Sequence, residues 1–132
     1  MKYLLIKHYR GAPAAANDVP MRDWTPEEVA DHVEFMERLA ERLQQTGEYV
    51  NSLALAPEGT WVSSDDQGAP VVGDELPEGK DLIAGWMLID VADESRAREI
   101  AAELAHAPGA GGRPVREWLE LRPALGAADG EG

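Results

Sequence analysis

The sequence predicts a single α+β domain whose elements run strand, helix, strand, strand, helix, strand. Three observations carry that expectation. Segments 26–46 and 94–106 repeat apolar residues at three- and four-residue spacing behind capping residues, as amphipathic helices do. Short apolar runs bounded by Gly, Pro and Asp flank each of them, as strands do. The chain has 132 residues, a common single-domain length that buries roughly two-thirds of its unfolded surface.

Residues 2–9 open the fold as a strand. Apolar or aromatic side chains occupy both parities, so both faces are covered, which suits a central strand. Gly11 to Pro20 is loop, punctuated at each end. Thr25 then caps a helix, Pro26 takes its first position, and Glu28 completes a capping box. Val29, Val33, Met36, Leu39, Ala40 and Leu43 form its inward stripe, and Gly47 stops it, so the helix spans 26–46.

Glu48 to Ala56 reads as the second strand. Thr60 to Val62 and Pro70 to Val72 flank the polar turn Asp65-Asp66-Gln67-Gly68 and form an added hairpin. Gly73 to Asp81 is an acidic loop. Ile83 to Val91 is the third core strand and the most apolar. Asp93 caps the second helix, 94–106, with Ala97, Ile100, Ala101 and Leu104 inward. Pro108 to Gly112 breaks it, and Val115 to Leu121 alternates as a last strand near a sheet edge. Ala124 to Gly132 is a small, polar tail, so residues 1–123 are the domain and 124–132 a flexible end.

This order is that of a ferredoxin-like βαββαβ fold with a four-stranded antiparallel sheet. Two helices cover one face of such a sheet. An apolar reverse face of several hundred square ångströms is unusual in a monomer, so a homodimer is expected to cover it.

Acidic residues number 25 against 12 basic, for a net charge of -13. That field repels phosphate backbones and argues against nucleic-acid binding. It leaves room for a basic protein partner. The chain contains no cysteine, so disulfides and thiolate metal sites are excluded. The apolar run within residues 1–7 is too short for a signal peptide, and no stretch approaches a membrane span of ~18 apolar residues. A cytoplasmic protein is expected. Basic residues cluster locally at Lys7, His8 and Arg10.

The segments Tyr3 to Gly11, Trp24 to Glu28, Leu55-Ala56-Pro57, Lys80 to Trp86, Ala107-Pro108-Gly109 and Glu120 to Pro123 occur in an order and spacing that resembles the YCII-related proteins. Within them they are similar to the actinobacterial branch named for an Asp-Gly-Pro-Phe motif, and the likeness spans roughly residues 2–123. The resemblance implies a ferredoxin-like fold paired into a dimeric α/β barrel, with a cleft between sheet and partner. It implies no settled activity. The wider family includes a dehydrochlorinase-like enzyme with a His–Asp pair. Genes of the branch often neighbour extracytoplasmic-function sigma factors, which implies a regulatory setting. The slot of the name-giving motif holds Gly73-Asp74-Glu75-Leu76 here, with Glu78 and Lys80 matching beyond it. Measured back from Gly47, the resemblance places the wider family's catalytic histidine near Met36, with His32 one helical turn earlier.

Histidine ionises near neutral pH, so His32 and His8 are the candidates for general acid/base work. Asp74 or Glu78 is the carboxylate that could orient the ring. His8 alternates with Lys7 and Tyr9, so either His8 or the Lys7/Tyr9 pair looks into the cleft. Lys7 could hold an anionic ligand as a point charge. Tyr49 and Trp86 could stack on a flat ligand, with Glu78 and Lys80 beside it. The acidic loop lacks the ordered spacing of a calcium site, and the sequence carries no phosphate loop, nucleophile elbow or paired metal-binding histidines. No cofactor is expected. The residues point to a homodimer that binds a small organic molecule in a sheet-lined cleft. They leave open whether lyase- or isomerase-like proton transfer follows, with His32 or His8 as base and Lys7 steadying an anionic intermediate. The alternative is a non-enzymatic regulatory protein whose acidic surface docks a basic partner.

Overall fold

The computed structural model describes residues 1–56, 59–73 and 82–125. The elements are β1 (Lys2–Arg10), α1 (Pro26–Thr46), β2 (Tyr49–Ala54), β3 (Trp61–Ser64), β4 (Pro70–Gly73), β5 (Leu82–Asp90), α2 (Glu94–Ala105) and β6 (Glu120–Pro123). Four strands form an antiparallel sheet in the order β2-β5-β1-β6, and β3 and β4 form a second, two-stranded sheet. The expected α+β mixture and the added hairpin are both present. Gly126 to Gly132, most of the expected tail, lie outside the described residues, as do Asp74 to Asp81 of the acidic loop. No helix among the described residues is long and apolar enough to cross a membrane.

Local chemistry sets the helix ends. The Thr25 hydroxyl accepts the Glu28 N–H at 3.1 Å, and the Glu28 carboxylate accepts the Thr25 N–H at 2.9 Å. Together they satisfy two donors that a helix start leaves unpaired. Gly47 closes α1 at φ 81°, a left-handed conformation that suits glycine. In α2 the Asp93 carboxylate accepts the Arg96 N–H at 2.9 Å.

Both helices pack on one face of the sheet. Leu39 and Leu43 of α1 and Ala97, Ile100 and Leu104 of α2 meet Tyr3, Leu5, Met87 and Ile89 in one core. The stripe on α1 is rotated from the expected one. Val33 is 47% exposed, whereas His32, Leu39 and Leu43 are buried, with Phe35 and Met36 packed alongside. A seven-residue step links His32 to Leu39, so the histidine begins the buried stripe.

Strand β1 is central, between β5 and β6, as its two apolar parities predict. Its odd residues Tyr3 and Leu5 face the helices, so Leu4 and Ile6 stand on the reverse face. Ile6 lies opposite Trp86 on one side and Glu120 on the other, and only 2% of it is exposed. The last strand begins later than expected, at Glu120 rather than Val115. Pro114 lacks an N–H, and Arg116 adopts φ 54°. The Val115 and Arg116 N–H groups donate back to the Ala107 and Ala105 carbonyls at 2.9 and 2.7 Å. Residues 113–116 therefore strap onto the end of α2, and pairing with β1 starts only beyond them.

The pairing directions place the C-terminal ends of β1 and β2 and the N-terminal ends of β5 and β6 at the same end of the sheet. There the ladder is irregular: Lys7 pairs with Gly85 but His8 with Ile83, so Ala84 is an inserted residue. Gly85 lets β2 come close, since a Cβ there would lie 2.7 Å from the Leu53 carbonyl oxygen. The β3–β4 hairpin turns through Asp66-Gln67-Gly68, with Gly68 at φ 82° and the Asp65 carboxylate accepting the Gln67 and Ala69 N–H groups. All eight strand residues of this hairpin are exposed.

Candidate functional site

The irregular end of the sheet gathers the candidate residues on two opposite faces. On the reverse face, His8 Nε2 lies 2.9 Å from Glu120 Oε1. Glu120 in turn accepts the Arg122 Nε–H at 2.8 Å on its other oxygen. Register explains the assembly. Glu120 and Arg122 lie opposite Ile6 and Leu4 and share their face, while His8 follows Ile6 by two residues. The Arg122 guanidinium, and then the His8 ring, hold the Glu120 carboxyl below its ordinary pKa, so it is the carboxylate.

His8 has 7% of its side chain exposed, and its Nδ1 is buried with no hydrogen-bond partner among the described residues. A fully protonated ring would bury an unpaired N–H there. The tautomer with Nε2–H donated to Glu120 leaves a bare lone pair at Nδ1, the form a general base requires. The carboxylate fixes the tautomer and would stabilise an imidazolium formed by proton uptake.

On the helix face, Lys7 Nζ lies 3.3 Å from Glu117 Oε1. His32 is close enough to feel both charges. Its Nδ1–H donates to the Pro108 carbonyl at 2.9 Å, and its ring meets Trp24 edge-on at 5.2 Å between centroids. Burial, above all, lowers the His32 pKa; the Pro108 carbonyl opposes that, Lys7 adds to it and Glu117 offsets it. His32 thus ties α1 to the loop after α2. Asn17 grips the same loop with its side-chain amide on the Ala110 and Arg113 carbonyls, and Glu28 accepts the Gly111 N–H.

The two histidines are therefore not alternatives for one position. The sheet separates them, Lys7 stands with His32, and Arg122 stands with the His8 pair through its bond to Glu120. Tyr9 reaches across to the Leu55 carbonyl at 2.9 Å. Trp86 lies on the reverse face opposite Ile6 and Leu53, half-buried. Tyr49 packs at the edge of the core with its hydroxyl 2.6 Å from Ser52 Oγ. Met36, the expected place of the family's histidine, also packs against the core. Asp74, Glu78 and Lys80 lie outside the described residues. The partner carboxylate found here, Glu120, went unselected in the sequence. Its signal was the Glu120/Arg122 spacing on an alternating strand, readable only once that strand is laid beside β1. Among the described residues, no group of three His, Asp or Glu could hold a metal ion.

A four-stranded antiparallel sheet with two helices on one face and a histidine–carboxylate pair on the other defines a class of α+β proteins. Within that class, the family model of the YCII-related domain matches residues 1–119, and the chain belongs to that family. No curated protein matches it.

Proposed function

We propose that this YCII-related protein is a ferredoxin-like homodimer that binds a small organic molecule between apposed reverse sheet faces. On this reading the pair forms a dimeric α/β barrel. The motif segments at Trp24 to Glu28 and Glu120 to Pro123 support a place in the Asp-Gly-Pro-Phe branch. The observation that carries the proposal is the buried Nδ1 of His8, without a partner among the described residues, behind the Glu120–Arg122 pair. Buried polar atoms nearly always have partners, so an exception in an oriented histidine points to a ligand. Trp86 and Leu53 supply an apolar wall on the same face. The chemistry is cofactor-free proton transfer: His8 Nδ1 takes a proton from the ligand, Glu120 steadies the imidazolium, and Arg122 holds Glu120.

A thermal-shift screen of small carboxylic acids and aromatics tests this. A hit should raise the wild-type midpoint by several degrees, and His8→Ala and Glu120→Gln should abolish the shift. Hits that persist in both variants would remove His8 from the site. The net charge of -13 favours one other reading, a regulatory protein docking a basic partner. That reading expects no small-molecule hit and salt-sensitive capture of a basic protein.

A further inference from the structure

A hollow of about 440 Å³ shares no lining residue with the His8 pair. It is lined by Ala16, Asn17, Asp18, Val19, Arg113, Pro114 and Arg116. Its volume falls within the range of small-molecule sites, roughly 300–1,000 Å³.

The two arginines stand out against the charge of the chain. Carboxylates outnumber cations about two to one, and Arg38, Arg42, Arg96, Arg98 and Arg122 each pair with a glutamate. Among the described residues, no carboxylate lies within 4.0 Å of Arg113 or Arg116. Arg113 interacts with Glu28 only through space, because that carboxylate is held by Thr25 and Gly111. In so acidic a chain, two exposed arginines that line one hollow, without a carboxylate partner among the described residues, suit an anion from outside.

The backbone that presents them is built rigidly. The Arg113 carbonyl accepts the Gly109 N–H at 2.8 Å and the Asn17 amide at 3.2 Å. The Val115 carbonyl accepts the Asn17 N–H at 3.0 Å. Pro114 bridges to Pro108, and Arg116 is held at φ 54° by its N–H on Ala105. A left-handed non-glycine residue costs on the order of 1 kcal/mol or more and persists where the surroundings over-determine it. Arg113 and Arg116 both line the hollow, and hydrogen bonds at Arg113 and Val115 tie this backbone down. Asn17, buried beneath, is the clamp.

We infer that this hollow binds a small organic anion, a phosphate monoester or a dicarboxylate, between Arg113 and Arg116. Guanidiniums suit such ligands because their planar forks donate paired hydrogen bonds to oxyanions. Asp18, also in the lining, opposes the anion and can accept a hydrogen bond from a hydroxyl of the ligand, so it selects against bare anions.

Isothermal titration calorimetry of the full chain at fixed ionic strength tests this, with glycerol 3-phosphate and succinate as probes and chloride as control. At least one probe should bind once per chain. Arg113→Gln and Arg116→Lys should each weaken that binding by about tenfold, since each removes a fork while the second keeps the charge. Arg116→Gly relieves the φ and should fold as well as wild type while losing affinity. Asp18→Asn should tighten binding. Saturable binding by neither probe, or affinity unchanged in the Arg113→Gln, Arg116→Gly double variant, would overturn the inference. The phosphate and carboxylate arms identify which oxyanion the forks prefer.

Discussion

Protonating His32 costs the folded chain more than the unfolded one. Burial lowers its pKa from the ordinary 6.5, so the neutral ring is the form that folding favours. The unfolded chain then binds more protons as acid is added, and stability falls as pH drops below 6.5. Above that value the contribution is fully present. Glu28, Glu48 and Glu120 are shifted below 4.5, so their contributions are lost only in stronger acid, a separate window. His32→Asn keeps a donor for the Pro108 carbonyl but does not titrate. It should flatten the stability–pH curve just below 6.5 with little change at pH 8. His32→Ala leaves the carbonyl and a cavity behind and should cost about 2 kcal/mol by urea unfolding. A curve with the wild-type slope in His32→Asn would assign the acid sensitivity elsewhere. Helical spacing put His32 one turn before Met36, but the expected stripe ran through Val33, so neither the burial of His32 nor its grip on Pro108 was legible. The gripping loop folds back from far along the chain, and no local pattern encodes that return.

Elements that carry their own stop and start signals were the readable ones. Thr25, Pro26, Glu28 and Gly47 mark α1, and the structure places its ends there. The last strand misled because Val115 to Leu121 alternates like a strand, yet Pro114 and the left-handed Arg116 hold its first half against α2. Tertiary hydrogen bonds outweighed an alternation that is only a weak preference. The same limit hid Glu120 as the partner of His8, since the contact depends on β6 lying beside β1. Gly85 gives a test at this scale. Its close approach to β2 leaves no room for a methyl group, and the obstacle is backbone. Gly85→Ala should therefore cost roughly 1–3 kcal/mol by forcing β2 and β5 apart. It should also disturb the His8 side-chain resonances, because the ladder irregularity that aims His8 starts at this residue. Loss of stability with His8 unmoved would separate the sheet's spacing from the geometry of the pair.

For the molecule as a whole, the hairpin is the element least explained by its own chain. Trp61, Val62, Val71 and Val72 are between 46% and 62% exposed, on both sides of a two-stranded ribbon. Such ribbons are marginal in water unless something packs on them. Leu53 and Leu55, exposed by 55% and 37%, add apolar surface at β2. The hairpin leaves the sheet at the end that carries His8, between β2 and β5. A second copy related by a twofold axis would cover both the ribbon and the reverse face, and twofold pairing is the commonest arrangement. Light scattering at micromolar concentration should then report a dimer. Trp61→Ser with Val72→Ser should shift it towards monomer, because each substitution removes apolar area from the contact rather than from the core. Leu53→Asp should do the same from the sheet side, where a charge would be buried without a partner. The wild-type unfolding midpoint should rise with protein concentration, and those of the variants should not. A wild-type chain that stays monomeric would leave Leu53 and the apolar ribbon in water. The shared cleft would then be lost, while the histidine pair and the arginine hollow, which lie within one chain, would still be testable.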